Sequence, residues 1–244
     1  FPNNGAGVRA YILDTGIRFD HVDFGSRAVS VFDAIDGGSA GDCNGHGTHV
    51  AGTTGGTSFG VAKGVTLVAV RVLNCLGNGT FAQVIAGIDW VTGDHDPGEL
   101  AVANMSLGGP PDSATDQALR NSIADGVTYS VAAGNNNTDA CNQSPARTAE
   151  AITVGATDIR DRRASFSNFG TCLDIFAPGV NITSAWVNSD TATNTISGTS
   201  MATPHVTGVA AIITSAHPTW TPQQVRDKIV AEATSGKVKK PGIG

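Results

Sequence analysis

Four short segments of the sequence hold residue types that together could split an acyl bond. Amide hydrolysis needs a nucleophile, a base to take its proton, a group that orients the base, and donors for the oxyanion that develops on the carbonyl. Asp14 closes the apolar run Ala10-Tyr11-Ile12-Leu13, which places it at the carboxyl end of a strand, where ligands gather in open α/β sheets. His46 lies in Asn44-Gly45-His46-Gly47-Thr48-His49, where flanking glycines let the backbone crowd a site and a small-residue helix can follow. Ser200 lies in Gly198-Thr199-Ser200-Met201-Ala202-Thr203-Pro204-His205, ahead of the apolar run 206–213. A buried helix is expected to start there, with Pro204 in its first turn and Ser200 among free N–H groups at the positive end of the helix dipole. Asn135 follows Val131-Ala132-Ala133-Gly134 and could donate its amide to the oxyanion. Each residue also has a plainer reading: Asp14 and Asn135 as turn residues, Ser200 as an N-cap. His46 and His49 could instead ligate zinc, but no third ligand is apparent and H-E-x-x-H is absent.

Positioning these residues requires a sheet and helices. Short apolar runs at 8–13, 66–72, 101–105 and 127–132 alternate with helical patterns, the signature of a parallel sheet flanked by helices. Phe81, Val84, Ile88 and Val91 recur at helical spacing. Residues 113–125 read as a second helix, with Leu119 and Ile123 inward and Gly126 closing it. Thr221-Pro222-Gln223-Gln224 combines an N-cap, a first-position Pro and a Gln three residues on, so a helix should run to about Ala233. No repeat or Pro/Ser-rich linker divides the chain, and a single α/β domain over 1–244 is expected.

Bulk properties exclude several partners. A net charge of −6 and no Lys/Arg run longer than pairs such as Lys239-Lys240 argue against nucleic acid. The apolar run 206–213 falls far short of the roughly 20 residues that span a bilayer, so no membrane segment is expected. Phe1 opens the chain without a charged and then apolar leader, as in a processed product or a fragment. Four cysteines at 43, 75, 141 and 172 lack C-x-x-C spacing. They read as the disulfides Cys43 to Cys75 and Cys141 to Cys172, formed in an oxidising compartment, or as four buried thiols. Gly5-Ala6-Gly7 precedes its strand, the wrong order for a dinucleotide fingerprint. Gly198-Thr199-Ser200-Met201-Ala202 lacks the closing Gly of an α/β-hydrolase elbow.

Taken together, the four segments resemble the subtilisin-type (subtilase) serine peptidases, whose triad runs in the order Asp, His, Ser. Ala133-Gly134-Asn135-Asn136-Asn137, Ser165-Phe166-Ser167-Asn168-Phe169-Gly170 and the segment 198–205 are similar to the proteinase K branch. The cysteine placement is similar to bacterial aqualysin-type members. This resemblance implies a three-layer α/β fold with a mainly parallel central sheet, and a secreted, extracellular endopeptidase acting through an acyl-enzyme. Asp14 would orient His46, His46 would serve as base and then acid, and Ser200 would be the nucleophile. The Asn135 side chain and the Ser200 N–H would form the oxyanion hole. Ser106-Leu107-Gly108 and Ala132-Ala133-Gly134 would bracket an extended peptide substrate. Gly77 and Asn78 would edge the opposite side, with Phe81 lining a distal apolar subsite, and the preference would be broad, for apolar and aromatic residues. Calcium would bind the Asp174 carboxylate and the carbonyls of Ala149 and Ala151. The family also has a cis peptide before the residue corresponding to Pro145. Its members use a removed propeptide as inhibitor and folding aid, and a monomer is expected. Family members extend before Phe1 and beyond Gly244, so the chain reads as trimmed at both ends. The alternative is a catalytically silent fragment that binds peptides without cutting them.

Overall fold

Alternation along β1 (Val8–Asp14) builds the core on both sides of one strand. Ala10 and Ile12 enter one apolar layer, and Tyr11 and Leu13 enter the other, because successive strand side chains face opposite ways. All four are fully buried, as expected of a parallel sheet covered on both faces. The computed structural model describes residues 3–242. In it β1 is joined by β2 (Ala28–Asp33), β3 (Thr66–Arg71), β4 (Leu100–Met105), β5 (Thr128–Ala132), β6 (Ile152–Thr157) and β7 (Ile175–Pro178). The order is β2-β3-β1-β4-β5-β6-β7, and the pairings are parallel throughout.

Helices α1 (His46–Gly55), α4 (Thr199–Ala216) and α5 (Pro222–Glu232) pack on one face through Val50, Val206, Ala210 and Ile229. Helices α2 (Phe81–Asp94) and α3 (Ser113–Asp125) cover the other through Val84, Ile88, Leu119 and Ile123. The result is the expected three-layer subtilisin-like fold. A small antiparallel hairpin, β8 (Ile182–Ala185) with β9 (Thr193–Ile196), lies against α1.

The expected strands and helices are present, with ends shifted by a residue or so and α3 matching at both ends. Both α2 and α5 start in reciprocal capping boxes, Thr80 with Gln83 and Thr221 with Gln224. The two disulfides join Cys43 to Cys75 and Cys141 to Cys172, and the Ser144–Pro145 peptide is cis. One expectation is corrected. Pro204 does not fall in the first turn of α4, because the helix begins at Thr199. It stands in the second turn, where a missing N–H deprives the carbonyl four residues earlier of its partner.

Strand order reverses at β1, which has β3 on one side and β4 on the other. Such a switch point opens a crevice beyond the carboxyl ends of the strands. The chain feeds Asp14, Ser106 and Asn135 into that edge from the ends of β1, β4 and β5, and the starts of α1 and α4 deliver His46 and Ser200.

Candidate active site

Asp14 is fully buried, and both its oxygens face the ring of His46, with Nδ1 at 2.8 Å from Oδ1 and 2.9 Å from Oδ2. The Thr15 N–H donates to Oδ1 at 2.7 Å and fixes the carboxylate. His46 keeps 25% of its side chain exposed and lines the cleft. Burial works against its charged form, yet the charge and hydrogen bond of Asp14, with the charge of Asp42, outweigh it and hold the imidazole above its usual value. His49, one turn on, is a neutral core residue. Its Nε2 meets the Ile182 carbonyl at 3.0 Å, its ring packs edge-on against Trp186, and burial pushes its pKa down to about 4. The described residues contain no group of three His, Cys, Asp or Glu arranged for a metal, so the zinc alternative has no third ligand.

Ser200 is the second residue of α4. Its Oγ donates to the Ser106 carbonyl at 3.3 Å, so the hydroxyl proton must leave that acceptor before it can pass to His46. The backbone here carries the consequence of Pro204. Residue 204 cannot donate to the Ser200 carbonyl, and Ser106 Oγ fills the gap at 2.8 Å. Ser106 Oγ in turn accepts from Asn104 Nδ2 at 2.9 Å, and Asn104 Oδ1 accepts from Thr207 Oγ1 at 3.0 Å. A buried polar chain thus runs from mid-α4 through β4 to the backbone of Ser200. Its sequence signal is a lone Asn in the otherwise apolar Leu100-Ala101-Val102-Ala103-Asn104-Met105.

Asn135 is exposed, yet its amide is oriented. The Thr199 N–H and Oγ1 donate to Oδ1 at 2.8 and 2.9 Å, a pattern only an oxygen can satisfy, and Nδ2 is left to donate toward the start of α4. The Gly134 before it has φ +101°, and a Cβ there would lie 2.2 Å from Gln143 Oε1, so glycine is required.

Two cavities flank the pair. One, of about 840 Å³, is lined by His46, Gly77, Asn78, Phe81, Ser106, Leu107 and Gly108. The other, of about 420 Å³, is lined by Leu107, Gly108, Ala132, Gly134, Asn135 and Ser200. Leu107-Gly108-Gly109-Pro110 forms the wall between them. Ala133 sits behind this surface: it is fully buried, its N–H donates to the Val154 carbonyl and its own carbonyl accepts from Asn168 Nδ2 at 2.8 Å.

Consistent with this geometry, the profile of the Subtilase family matches residues 5–243. The chain belongs to the subtilase family. This subtilase is 62% identical over 243 residues to the "Extracellular serine proteinase" of Thermus sp. strain Rt41A, a match covering 99% of the chain and 59% of that protein. It is 54% identical to "Alkaline serine exoprotease A" of Vibrio alginolyticus, covering 96% of the chain and 43% of that protein. The crystal structure of a cold-adapted subtilisin-like serine proteinase superposes with a TM-score of 0.95 at 50% identity, covering 98% of this chain and 86% of that one. The subtilase chain thus spans about half the length of the curated relatives it matches.

Of the expected calcium ligands, Asp174 already faces a cation of the chain itself. Asp174 Oδ1 accepts from the Arg226 guanidinium and Oδ2 from the Thr153 N–H, so a calcium ion drawing on this carboxylate and on the carbonyls of Ala149 and Ala151 would have to share it with Arg226. Burial pushes the Asp174 carboxyl up, and the Thr153 N–H and Arg226 oppose this. An internal guanidinium therefore supplies the positive charge beside Asp174. Replacing Arg226 by Gln is expected to lower the unfolding free energy by roughly 1–3 kcal/mol, since it leaves a mostly buried carboxylate unpaired. Urea unfolding checks this, and the deficit should shrink on acidification as Asp174 takes up a proton.

Proposed function

We propose that this chain is a secreted serine endopeptidase that cleaves proteins and peptides through an acyl-enzyme. The observation that carries this reading is the Asp14–His46 pair at one edge of a parallel sheet, with Ser200 and Asn135 at the same edge in the adjoining cavity, the two cavities sharing Leu107 and Gly108. In the proposed mechanism, Ser200 Oγ leaves the Ser106 carbonyl and attacks the scissile carbonyl while its proton passes to His46 Nε2. Asp14 stabilises the imidazolium, which then protonates the leaving amine. Water then enters and gives a proton to His46 as its oxygen attacks the acyl carbonyl; the bond to Ser200 Oγ breaks, His46 returns the proton to Oγ, and the acid is released. The oxyanion is held by Asn135 Nδ2 and the Ser200 N–H, with the α4 dipole adding to the stabilisation.

An extended substrate would lie along Ser106-Leu107-Gly108, taking affinity from its main chain, with Ala132 and Gly134 walling the pocket and Ala133 supporting them from behind. The cavity of about 420 Å³ beside Ser200, walled by Leu107, Pro110 and Ala132, suits an apolar or aromatic residue before the cut. Phe81 and Leu76, 39% and 80% exposed, offer apolar contact further along the chain. Two disulfides agree with an extracellular setting. A removed propeptide, acting as inhibitor and folding aid, and a monomeric enzyme complete the proposal.

A fluorophosphonate probe with casein as substrate tests this reading. One adduct on the peptide containing Ser200, with loss of casein hydrolysis, is expected. A folded sample that neither labels nor hydrolyses is instead the silent peptide-binding form. Asn135→Ala should then lower kcat about 100- to 1000-fold with little change in KM, the range known for loss of the equivalent Asn in a subtilisin. Steady-state kinetics on a peptide anilide checks it.

A further inference from the structure

The Asp42 carboxylate accepts five hydrogen bonds next to the proposed site. Oδ1 takes Thr15 Oγ1, Asn44 N–H and Gly45 N–H, each at 2.9 Å. Oδ2 takes the Thr48 N–H at 3.0 Å and Thr48 Oγ1 at 2.6 Å. Thr15 follows Asp14 in sequence, and its Oγ1 also accepts from the Gly47 N–H at 2.9 Å. One carboxylate therefore joins the end of β1 to the backbone on both sides of His46. The first turn of α1 needs such an acceptor, because its N-cap is Gly45, at φ 112°, with no side chain to cap the free N–H groups. The charge also lies at the favourable end of the α1 dipole. The neighbouring Cys43–Cys75 disulfide ties this segment to the cleft edge.

Asp42 does not touch the imidazole, whose Nδ1 is bonded to Asp14. We propose that Asp42 is a positioning residue that holds Asp14 and His46 in working geometry by linking β1 to the first turn of α1. This rests on the peptidase reading above. The groups facing His46 are Asp14 on β1, Asp42 ahead of α1 and His49 on its next turn, and burial keeps His49 uncharged at neutral pH.

The test compares the parent chain with Asp42→Asn and Thr15→Val. Parent activity and Ser200 labelling are measured first, and their absence overturns the peptidase reading on its own. In an active parent, Asp42→Asn should lower kcat about 10- to 100-fold with KM within about twofold, the size of effect expected when a reacting group is misplaced by about 1 Å. The acid limb of kcat/KM should also move to lower pH, because a negative charge that favours imidazolium is gone; a purely structural role would lower the melting temperature without moving that limb. Thr15→Val, which removes the bond to Asp42 and the acceptor of the Gly47 N–H but leaves the Asp42 charge and its bonds to Asn44, Gly45 and Thr48, should lower kcat several-fold and leave the limb in place. The proposal is overturned if folded Asp42→Asn keeps the parent kcat and limb. If that variant does not fold, a parent-like kcat in Thr15→Val overturns it.

Discussion

A Ser200→Ala variant is expected to fold like the parent and to lose about a millionfold in kcat, the size of loss known for the equivalent change in a subtilisin. The stability half of this expectation comes from the present geometry. Ser200 Oγ makes one long hydrogen bond, 3.3 Å to the Ser106 carbonyl, so its removal should change the unfolding free energy by no more than about 1 kcal/mol. The backbone of residue 200 is held independently, since Ser106 Oγ donates to its carbonyl whatever side chain it carries. The Ser200 N–H and Asn135 Nδ2 would remain, so a residual rate about 1000- to 10,000-fold above water is expected. Burst kinetics with an activated ester separates the two contributions: the acyl-enzyme burst should vanish while slow steady hydrolysis persists. A variant that still labels with fluorophosphonate, or still gives a burst, would place the nucleophile elsewhere.

What the sequence made legible follows from where local and tertiary forces agree. β1, β3, β4 and β5 are mostly apolar runs, broken by residues such as Arg9, Asn104 and Ser130, because helices cover both their faces, and α3 is bounded by an Asp112 cap and by Gly126 at φ +127°. β2 and β7 lie at the two sheet edges; β2 is exposed or half-buried at all but Asp33, and β7 is only four residues long and ends in Pro178, so neither announces itself by periodicity, while β6 is a short buried run interrupted by Thr153 and Gly155. The groups named for chemistry stand in Gly-rich segments at element ends and could be found by type and order. Those that hold them in place could not. Thr15, Asn104 and Thr199 are ordinary polar residues with partners far away in sequence, such as Thr207 Oγ1 on Asn104 Oδ1 and Thr199 on Asn135, and Asp42 reads as a local cap ahead of His46 until Thr15, 27 residues earlier, is placed on it. Pro204 stands one turn deeper in α4 than its local context suggests, because the compensating donor, Ser106 Oγ, comes from another part of the chain. Asp174 matches a ligand pattern, but the guanidinium that engages it comes from Arg226, 52 residues later.

Replacing Asp14 by Asn is expected to cost roughly 10,000-fold in kcat, by analogy with the same change in a triad peptidase of unrelated fold. The hydrogen bonds around Asp14 give a specific reason. The Thr15 N–H donates to Oδ1, so an Asn at 14 must put its carbonyl oxygen there and its NH₂ toward the His46 ring. That NH₂, at the Oδ2 position 2.9 Å from Nδ1, competes with the Oδ1 contact and favours an accepting Nδ1, with the ring proton on Nε2, the atom that should take the Ser200 proton. The charge change acts in a second direction. In the parent, burial of His46 is outweighed chiefly by Asp14, so the imidazolium is favoured and the enzyme should lose activity as pH falls through a value above 6.5. The same raised value stabilises the fold below pH 6.5, a contribution lost as pH rises through the folded pKa. Asp14→Asn removes the larger favourable charge and leaves burial opposed by Asp42 alone. The acid limb of the residual kcat/KM should therefore move to lower pH, and histidine NMR should show the shift in the unliganded variant. Residual activity with an unmoved limb would mean that Asp14 does not set the charge state of His46, and the base would then have to be sought elsewhere in the cleft.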